Sequence, residues 1–369
     1  MSDQNPHAPL APARRAHVLT SLARDGVVRV SQLIDELGVA PVTLRRDLAQ
    51  MEKEGLLVRV HGGAVPPEGG VPAASAETIA RPAHQEAIGV LVPSLGYYWP
   101  SVVRGAEEEA QRLGYRVVVR GASYELQDER PVLDRLVHGE GVRGLIVAPN
   151  TDMPHAREVV AWLADCGVPS VLAERDATHP DGTPVESVAS DHAFGGVLAA
   201  RHLAALGHQR VGLVLSRHSP TSRKIAAGWT AACEELGLTP SQHFESLIPD
   251  RSTPEFSSAV NAALDTAIDK GITALLVHPD HEAMAFVDLA LGRGISVPGD
   301  LSIMAYDDEV AQLFTPPLTA VSPPRRAVGA AAIDLLVRRI ADPDRPVHRV
   351  TINPTLIARE STAAPRKAD

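Results

Sequence analysis

The sequence contains few of the residues that cross-link or anchor proteins. Cysteine occurs only twice in 369 residues, as Cys166 and Cys233, and the two are far apart in the chain. No apolar run of about 18 residues is present, which excludes a membrane-spanning helix. The N-terminus also lacks a secretory signal, which needs an apolar run of roughly 7–15 residues after a basic start. We therefore expect a cytoplasmic protein with no membrane partner and with both thiols reduced.

Catalytic signatures are missing as well. The sequence holds no GxSxG, no P-loop, no HExxH, and no GxGxxG after the first core strand. His278, Asp280 and His281 form an HPDH cluster, but a metal site needs a third ligand at a readable spacing, so we interpret the cluster as the entry to a helix. No side chain in this sequence can be assigned as a catalytic nucleophile or general base. We expect no enzymatic activity, no metal and no cofactor.

Acidic residues outnumber basic ones, but unevenly along the chain. The formal net charge is −10, whereas residues 1–64 hold eight Arg or Lys against seven Asp or Glu. Residues 65–369 therefore carry −11. An acidic body attached to a nearly neutral N-terminal segment suppresses non-specific binding to DNA. Any DNA binding would then depend on a few placed contacts and on dimerisation.

A short amphipathic helix is predicted from Pro41 onward, in the sequence PVTLRRDLAQMEK. Leu44, Leu48 and Met51 recur at helical spacing and form one apolar stripe. Arginine binds guanine through two hydrogen bonds, and threonine contacts a base methyl group or a phosphate. Alternatively, the arginines form a solvated face or pair with the neighbouring acids. The residues off the stripe that suit a DNA groove are Thr43, Arg45 and Arg46, and the neighbouring acids are Asp47 and Glu52.

The segments around this helix complete a small domain. Residues 14–64 predict a helix, a strand, a second helix, a tight turn, the Pro41 helix and a hairpin. This order is typical of a winged helix-turn-helix, an α+β domain whose last helix enters a DNA groove. Residues 1–13 are polar and rich in proline, which predicts a disordered tail. Residues 65–85 are rich in Pro, Gly and Ala, which predicts a flexible linker.

Residues 14–64 resemble the DeoR-type DNA-binding domain along its full length. The hexapeptide TLRRDL at 43–48 and the HGGA wing at 61–64 carry the resemblance. One departure is Ala40, because the family usually opens its third helix with Ser, and losing an N-cap side chain costs about 1 kcal/mol. The resemblance implies binding to double-stranded operator DNA. The residues it implies for that contact are Arg14, Thr43, Arg45, Arg46, Arg59 and His61.

From residue 87 onward, runs rich in Val, Ile and Leu alternate with helical segments. The runs are unbroken, which indicates strands buried on both faces of parallel sheets with helices on each side. About 280 residues exceed the size of one core, so residues 86–365 predict two doubly wound α/β lobes. Ligands of such folds bind at the carboxyl ends of the strands, here in the cleft between the lobes.

Residues 86–365 resemble the sugar-sensing core of the LacI/GalR repressor family, which is similar to periplasmic sugar-binding proteins. The resemblance implies a two-lobed, type I periplasmic-binding-protein-like fold. Matching sequences include HLAALGHQRVGLV at 202–214, ISVPGDLSIMAYDD at 295–308 and ARESTAAP at 358–365. The expected lobes are lobe 1 at about 87–190 and 322–342, and lobe 2 at about 191–317 and 348–365.

The same resemblance implies effector contacts from side chains at the strand ends. Charged groups that form two hydrogen bonds suit the vicinal hydroxyls of a sugar. Three departures indicate a rebuilt pocket: Pro279 replaces a family Asn, Ile225 replaces an Arg, and Pro323 replaces a Gln. The predicted ligand-binding residues are Ser94, Tyr98, Trp99, Arg175, Arg223 (the cation nearest Ile225), Asp280 and Asp307.

The loop after the first core strand contains three consecutive aromatic residues, in GYYWP at 96–100. Aromatic residues make up only 4% of the chain, so this cluster stands out. Aromatic faces stack on sugar C–H groups or on a nucleobase. We expect stacking by Tyr98 or Trp99. The alternative is that Tyr97 and Trp99 pack on the lobe surface.

Together these features predict a DNA-binding transcription regulator with a small-molecule effector. We expect a repressor that is released when a sugar binds. The alternatives are an activator, a corepressor-dependent regulator, or a sensor of a nucleoside or another non-sugar metabolite. A lone winged helix buries too little surface for tight operator binding, so we expect a homodimer on an inverted repeat. The apolar side chains of a helix at 324–340 could supply part of the interface as well as cover the sheet.

Overall fold

The chain divides into two units, Met1–Ala83 and His84–Asp369. The structure is a computed structural model. The residues it describes are 14–15, 17–19, 21–22, 28–37, 39, 41–53, 56–60, 63–65, 85–121, 128–149, 155–238 and 243–366. The tail predicted at 1–13 and the linker predicted at 65–85 lie outside them, apart from the linker's ends. Val65 closes a strand of the first unit, and Gln85 precedes the first strand of the second.

The N-terminal unit is a winged helix, as predicted. Its described elements follow residues 14–22, whose described members are helical: β1 (Val28–Arg29), α1 (Val30–Leu37), α2 (Pro41–Lys53), β2 (Val58–Val60) and β3 (Gly63–Val65). The strands form an antiparallel sheet in the order β1-β3-β2, with Val58 opposite Val65. The apolar stripe of α2 lies in the core of this unit, because Leu44, Leu48 and Met51 are at most 1% exposed.

The second unit contains two six-stranded sheets, one in each lobe. Lobe 1 has the order β14-β8-β7-β6-β4-β5, all parallel, and lobe 2 has β10-β9-β11-β12-β13-β15, parallel except for β15. The lobe 1 strands are β4 (Ala87–Val92), β5 (Arg116–Gly121), β6 (Gly144–Val147), β7 (Ser170–Ala173), β8 (Ser187–Ser190) and β14 (Arg349–Ile352). The lobe 2 strands are β9 (Val211–Ser216), β10 (His243–Ile248), β11 (Ala274–His278), β12 (Ser302–Tyr306), β13 (Thr319–Ser322) and β15 (Thr355–Ile357).

Helices cover both faces of each sheet. In lobe 1 they are α3 (Trp99–Arg112), α4 (Arg130–Asp134, continued by a π-helical turn at Arg135–Gly139), α5 (Ala156–Asp165) and α10 (Arg325–Ala341). In lobe 2 they are α6 (His192–Ala205), α7 (Ser222–Glu235), α8 (Phe256–Asp269) and α9 (Asp280–Gly292), with a 3₁₀ turn at Ala311–Leu313. The Val-, Ile- and Leu-rich strands are buried between them, which confirms the predicted doubly wound class.

One strand lies in the other lobe from the one predicted. The sequence assignment placed residues 348–365 in lobe 2, but β14 pairs with β8 in the lobe 1 sheet, Val350 opposite Val188. The chain crosses into lobe 2 only afterwards, where β15 pairs antiparallel with β13. β14 is an edge strand whose residues are exposed or half-buried, so its hydrophobicity does not identify its partner. The chain therefore crosses between the lobes at residues 191, 323–324 and 353–354.

Helix α10 covers the lobe 1 sheet. Val328, Ile333 and Leu336 are fully buried in the lobe 1 core, which accounts for much of the apolar pattern that was also considered for an interface.

Glycines bring the helices of each lobe together. A Cβ on Gly329 of α10 would lie 1.9 Å from the Val102 carbonyl oxygen of α3. A Cβ on Gly228 of α7 would lie 1.7 Å from the Ala193 carbonyl oxygen of α6.

We predict that Gly228→Ala destabilises the core by about 1–3 kcal/mol, since α6 and α7 must separate to admit the methyl group. Gly292→Ala is the matched control, because a Cβ at Gly292 would meet nothing within 4 Å. It should leave stability unchanged or raise it by about 0.5–1 kcal/mol. Urea unfolding of the full chain followed by circular dichroism measures both. Equal midpoints for the two variants would contradict the close helix contact.

Candidate functional site

The predicted DNA-reading face lies on α2. Arg46 is exposed on this helix and Thr43 is half-buried, as expected of residues beside the apolar stripe. The side chains of Arg45 and Arg59, and the whole of His61, lie outside the described residues. Arg45 and Arg46 were both predicted to be exposed, and the structure shows this exposure for Arg46. The side chain of Arg45 is not among those it describes.

Arg14 has a structural role that its sequence position did not reveal. Its Nε donates a hydrogen bond to Asp47 Oδ2 at 2.7 Å, and the two side chains are 12% and 14% exposed. The pair ties the first helix to α2 from the side. Arg14 was predicted to contact DNA, but this ion pair engages its guanidinium inside the domain.

The predicted ligand site corresponds to a cavity of about 780 Å³ between the lobes, at the carboxyl ends of both sheets. Its lobe 1 wall comes from the β4–α3 loop and the end of β7. Its lobe 2 wall comes from the loops after β9, β10, β11 and β12 and from the start of α6. The lining residues are Tyr97, Tyr98, Trp99, Glu174, Arg175, His192, Ser216–Thr221, Asp250–Ser252, His278, Pro279, Glu282 and Asp307.

The three aromatic residues have different roles in this wall. Trp99 begins α3 and is only 2% exposed, with the guanidinium of Arg175 over its ring at 5.6 Å. Tyr98 and Tyr97 are half-buried and line the cavity. Trp99 is thus largely buried in the wall, and the two tyrosines supply most of the accessible aromatic surface.

A buried carboxylate that sequence analysis missed holds this wall together. Glu174, in a left-handed conformation (φ 58°), accepts hydrogen bonds from Tyr98 Oη at 2.6 Å and from the Ser190 amide and hydroxyl at 2.9 and 2.7 Å. Across the lobes, His192 Nε2 lies 3.3 Å from it, and His192 Nδ1 lies 3.0 Å from Tyr306 Oη. Burial raises the pKa of Glu174, but its hydrogen bonds with His192, Tyr98 and Ser190 outweigh burial and bring the pKa to about 2.

Arg175 lies where the sequence predicted, in the cavity wall. It is buried, and two of its donors bind backbone oxygens: Nε to Pro149 at 3.1 Å and Nη1 to Glu174 at 2.9 Å. These bonds fix the plane of the guanidinium at the cavity surface. A fixed guanidinium binds a hydroxyl or carboxylate oxygen with little further loss of entropy.

Asp307 also lines the cavity, immediately after β12. It is 4% exposed and has a left-handed backbone (φ 104°), and its carboxyl group accepts from the Tyr97 hydroxyl. Burial, reinforced by the nearby charge of Asp280, raises the pKa of Asp307 well above its ordinary value. His278 Nε2 is 3.7 Å from Asp307 Oδ2, and burial lowers the pKa of His278 to about 3. The buried carboxyl group of Asp307 and the neutral imidazole of His278 therefore lie side by side.

Asp280 does not line the cavity, in contrast to its predicted role. Its carboxylate, fully buried at the start of α9, accepts the backbone N–H groups of four consecutive residues at 2.7–3.2 Å: Asp308, Glu309, Val310 and Ala311. Both carboxylate oxygens of Asp280 thus accept hydrogen bonds from the backbone. Asp280 shapes the loop that presents Asp307.

Two further predicted contacts lie away from the cavity. Ser94 Oγ accepts the Gly96 amide at 3.0 Å and shapes the aromatic loop, and Arg223 is exposed on α7. The cations that do line the lobe 2 wall are Arg217 and Arg251, from the loops after β9 and β10. Their positions follow from loop geometry, which carries no sequence period.

The described part of the chain contains neither a metal-binding cluster nor a membrane-spanning helix. No group of three or more His, Cys, Asp or Glu side chains could hold a metal ion there. No helix there has the length and apolar character needed to cross a membrane. Cys233 is buried, Cys166 is half-buried, and both thiols are free.

Comparison with known proteins supports both domain assignments. A DeoR-like helix-turn-helix domain matches residues 14–68, and a periplasmic binding protein-like domain matches residues 200–362. The HTH-type transcriptional repressor PurR of Photobacterium profundum is 30% identical over 279 residues, covering 74% of this chain and 80% of that protein. An HTH-type transcriptional regulator of Streptomyces limosus is 31% identical, covering 75% and 78%. The chain belongs to the LacI family of transcriptional regulators.

Solved structures agree with this assignment to the LacI family. A LacI family transcriptional regulator from Enterococcus faecium with bound ribose is 25% identical, with a TM-score of 0.63, covering 76% of this chain and 100% of that one. The lac repressor dimer bound to operator and the anti-inducer ONPF is also 25% identical, with a TM-score of 0.63, covering 77% and 96%.

We predict that Asp280→Asn lowers the stability of this LacI-family regulator by about 1–3 kcal/mol, because the new amide cannot accept all four loop N–H groups. Asp288→Asn, an exposed site on the same helix, should stay within about 0.5 kcal/mol of wild type. Thermal unfolding of the full chain compares the two. A neutral Asp280→Asn would show that the loop holds itself without the carboxylate.

Proposed function

We propose that this regulator represses transcription by binding an operator through its winged helix, and that a small molecule in the interlobe cavity modulates that binding. The observation that carries the proposal is the combination in one chain of an exposed arginine on a groove-sized helix with an interlobe cavity of about 780 Å³. Such a volume lies within the roughly 300–1,000 Å³ typical of small-molecule sites. We expect the ligand to relieve repression. The alternative is that the protein is an activator, or that it represses only when a corepressor is bound.

A sugar is the proposed effector. The cavity offers a fixed guanidinium at Arg175, carboxyl groups at Asp307 and Glu282, and aromatic surface from Tyr97 and Tyr98. Hydroxyl groups suit the first two kinds of partner, and the C–H faces of a sugar ring suit the third. The relative from Enterococcus faecium was solved with bound ribose, which favours the same class here. A nucleoside is the alternative, since the tyrosines would also stack on a base.

Coupling between cavity and reading head would proceed through the angle between the lobes. Besides the contact of Glu174 with His192, further contacts already cross the cleft. The Tyr97 hydroxyl from lobe 1 accepts the Asp280 amide of lobe 2 at 3.4 Å, and Lys224 Nζ of α7 lies 2.7 Å from Asp176 Oδ2 of lobe 1. A ligand that binds both walls stabilises one lobe angle over others. We expect a coupling on the order of 1–3 kcal/mol, or roughly 5- to 150-fold in operator affinity.

A homodimer is proposed as the DNA-binding form. One winged helix buries too little surface for tight and specific binding, whereas two copies reading an inverted repeat double the contacts. Because the whole chain carries a formal charge of −10, the electrostatic attraction to DNA is confined to the reading heads. Sedimentation of the full chain at micromolar concentration reports the oligomeric state.

We predict that Arg46→Ala or Arg45→Ala weakens operator binding by at least about 1–3 kcal/mol if the residue reads a base. The operator is first selected from random DNA by the wild-type protein, and fluorescence anisotropy then measures affinity as a function of salt. Lys53→Ala removes one exposed charge at the far end of α2 and should have a smaller effect. Wild-type affinity in the double Ala variant would place the reading surface elsewhere.

We predict that Arg175→Ala and Asp307→Ala abolish the ligand response while operator binding stays intact. A thermal-shift panel of sugars and nucleosides on the full chain identifies the ligand, and operator titrations with and without it measure the response. Arg223→Ala is the control, because it removes an exposed cation outside the cavity lining. If both cavity variants respond at the wild-type ligand concentration, the effector site must lie elsewhere in the core.

A further inference from the structure

The corner between β11 and α9 brings two unpartnered polar atoms to the cavity. His278 and Glu282 are 4% and 6% exposed, and both line the cavity. Within the described part of the chain, His278 Nδ1 and Glu282 Oε2 are buried without any hydrogen-bond partner. A buried polar atom without a partner destabilises a folded protein unless something else compensates for it.

The other buried orphan atoms of the described residues have different surroundings. Glu309 and Arg325 face each other as an ion pair at 3.0 Å, so each has an electrostatic partner. Trp229 Nε1 and His179 Nδ1 do not line the cavity. Among the described residues, only His278 and Glu282 therefore line the cavity and also have a buried polar atom without a hydrogen-bond partner.

The charged groups around Glu282 do not satisfy it. Arg251 and Asp250 act on it electrostatically from the loop after β10, and Asp280 does so from its own helix, but Glu282 Oε2 has no hydrogen-bond partner. Burial, with smaller contributions from the two aspartates, raises the pKa of Glu282 to about 7, although a hydrogen bond from its own backbone N–H group and the charge of Arg251 oppose the rise. The free protein therefore holds a carboxyl group whose charge is poorly stabilised at neutral pH.

The chemistry of the pair restricts what can fill it. His278 is a neutral imidazole whose Nδ1 can donate or accept, and an ionised Glu282 can only accept. Pro279, between them, has neither an N–H group nor a polar side chain. His278 ends β11 and Glu282 lies in the first turn of α9, and both side chains line the cavity. A carboxylate or phosphate placed here would meet a like charge, whereas a hydroxyl can donate to Glu282.

We propose that His278 and Glu282 form a two-point hydrogen-bonding site that recognises an uncharged, hydroxyl-bearing part of the effector and so determines specificity. This proposal rests on the cavity being the effector site. It predicts that neutral polyhydroxy compounds bind in preference to their phosphorylated or carboxylated counterparts. It also explains why two polar atoms are kept without partners in the free protein.

The first test needs no ligand. Glu282→Gln and Glu282→Met should raise the melting temperature of the full chain, because each removes a poorly stabilised buried carboxylate. A carboxyl group whose folded pKa is raised destabilises the fold as pH rises above its unfolded value of about 4.5, and the full effect is present above about 7. The gain should therefore be larger at pH 8 than at pH 5. Asp288→Asn, exposed on the same helix, should show neither effect. A lower melting temperature for both Glu282 variants at pH 8 overturns the proposal.

The second test measures binding by calorimetry with D-ribose, D-glucose and D-galactose, and with ribose 5-phosphate and D-gluconate as charged counterparts. The neutral probe that binds best should lose at least tenfold in affinity in Glu282→Gln and in His278→Phe, which keeps a ring without nitrogens. Its affinity for wild type should rise from pH 6 to pH 8, and this rise should disappear in Glu282→Gln. Unchanged affinity in both variants overturns the proposal. If no probe binds wild type, the proposed sugar effector fails, and the melting temperatures still decide the role of Glu282.

Discussion

A single buried carboxylate, that of Glu174, connects the parts of this molecule that must act together. It receives hydrogen bonds from the aromatic loop through Tyr98 and from the end of β8 through Ser190, and it faces His192 of the opposite lobe. Because these partners come from two separate segments, the aromatic loop and residues 190–192, the carboxylate fixes the cavity wall and the first interlobe crossing at once. A charge buried among so many donors is held in one geometry, since moving any one of them would leave it undersolvated.

The acids at the carboxyl ends of the lobe 2 strands illustrate how surroundings assign different tasks to the same functional group. Asp280 is surrounded by backbone N–H groups and acts within the fold, whereas Asp307 is desolvated, has a raised pKa and lines the cavity. Glu282 stands between these extremes, because it is buried and its Oε2 has no hydrogen-bond partner. The wall therefore offers a graded set of acceptors and donors. Such a set can match a ligand that carries several hydroxyl groups in different orientations.

Sequence patterns predicted the architecture well where burial determines residue type. The stripe of Leu44, Leu48 and Met51 fixed the reading helix, and unbroken aliphatic runs fixed the parallel sheets. The patterns failed where partners are set by tertiary geometry. The half-exposed β14 gave no sign of its lobe, and nothing in sequence separates an aspartate that caps a loop from one that faces a ligand. Arg217 and Arg251 line the cavity while Arg223 does not, because loops rather than helical periodicity place them.

The glycine contact between α6 and α7 has a consequence for how this core can diversify. Gly228 sets how deeply α7 lies against Ala193, and the loop that leads into α7 carries Ser219 and Thr221 to the cavity. Side chains on that loop can change without disturbing the helix contact, so new ligands can be acquired by loop variation alone. A change at Gly228 would instead shift the whole wall. Gly228 therefore keeps the helix frame of this wall fixed while the side chains that line the cavity can vary.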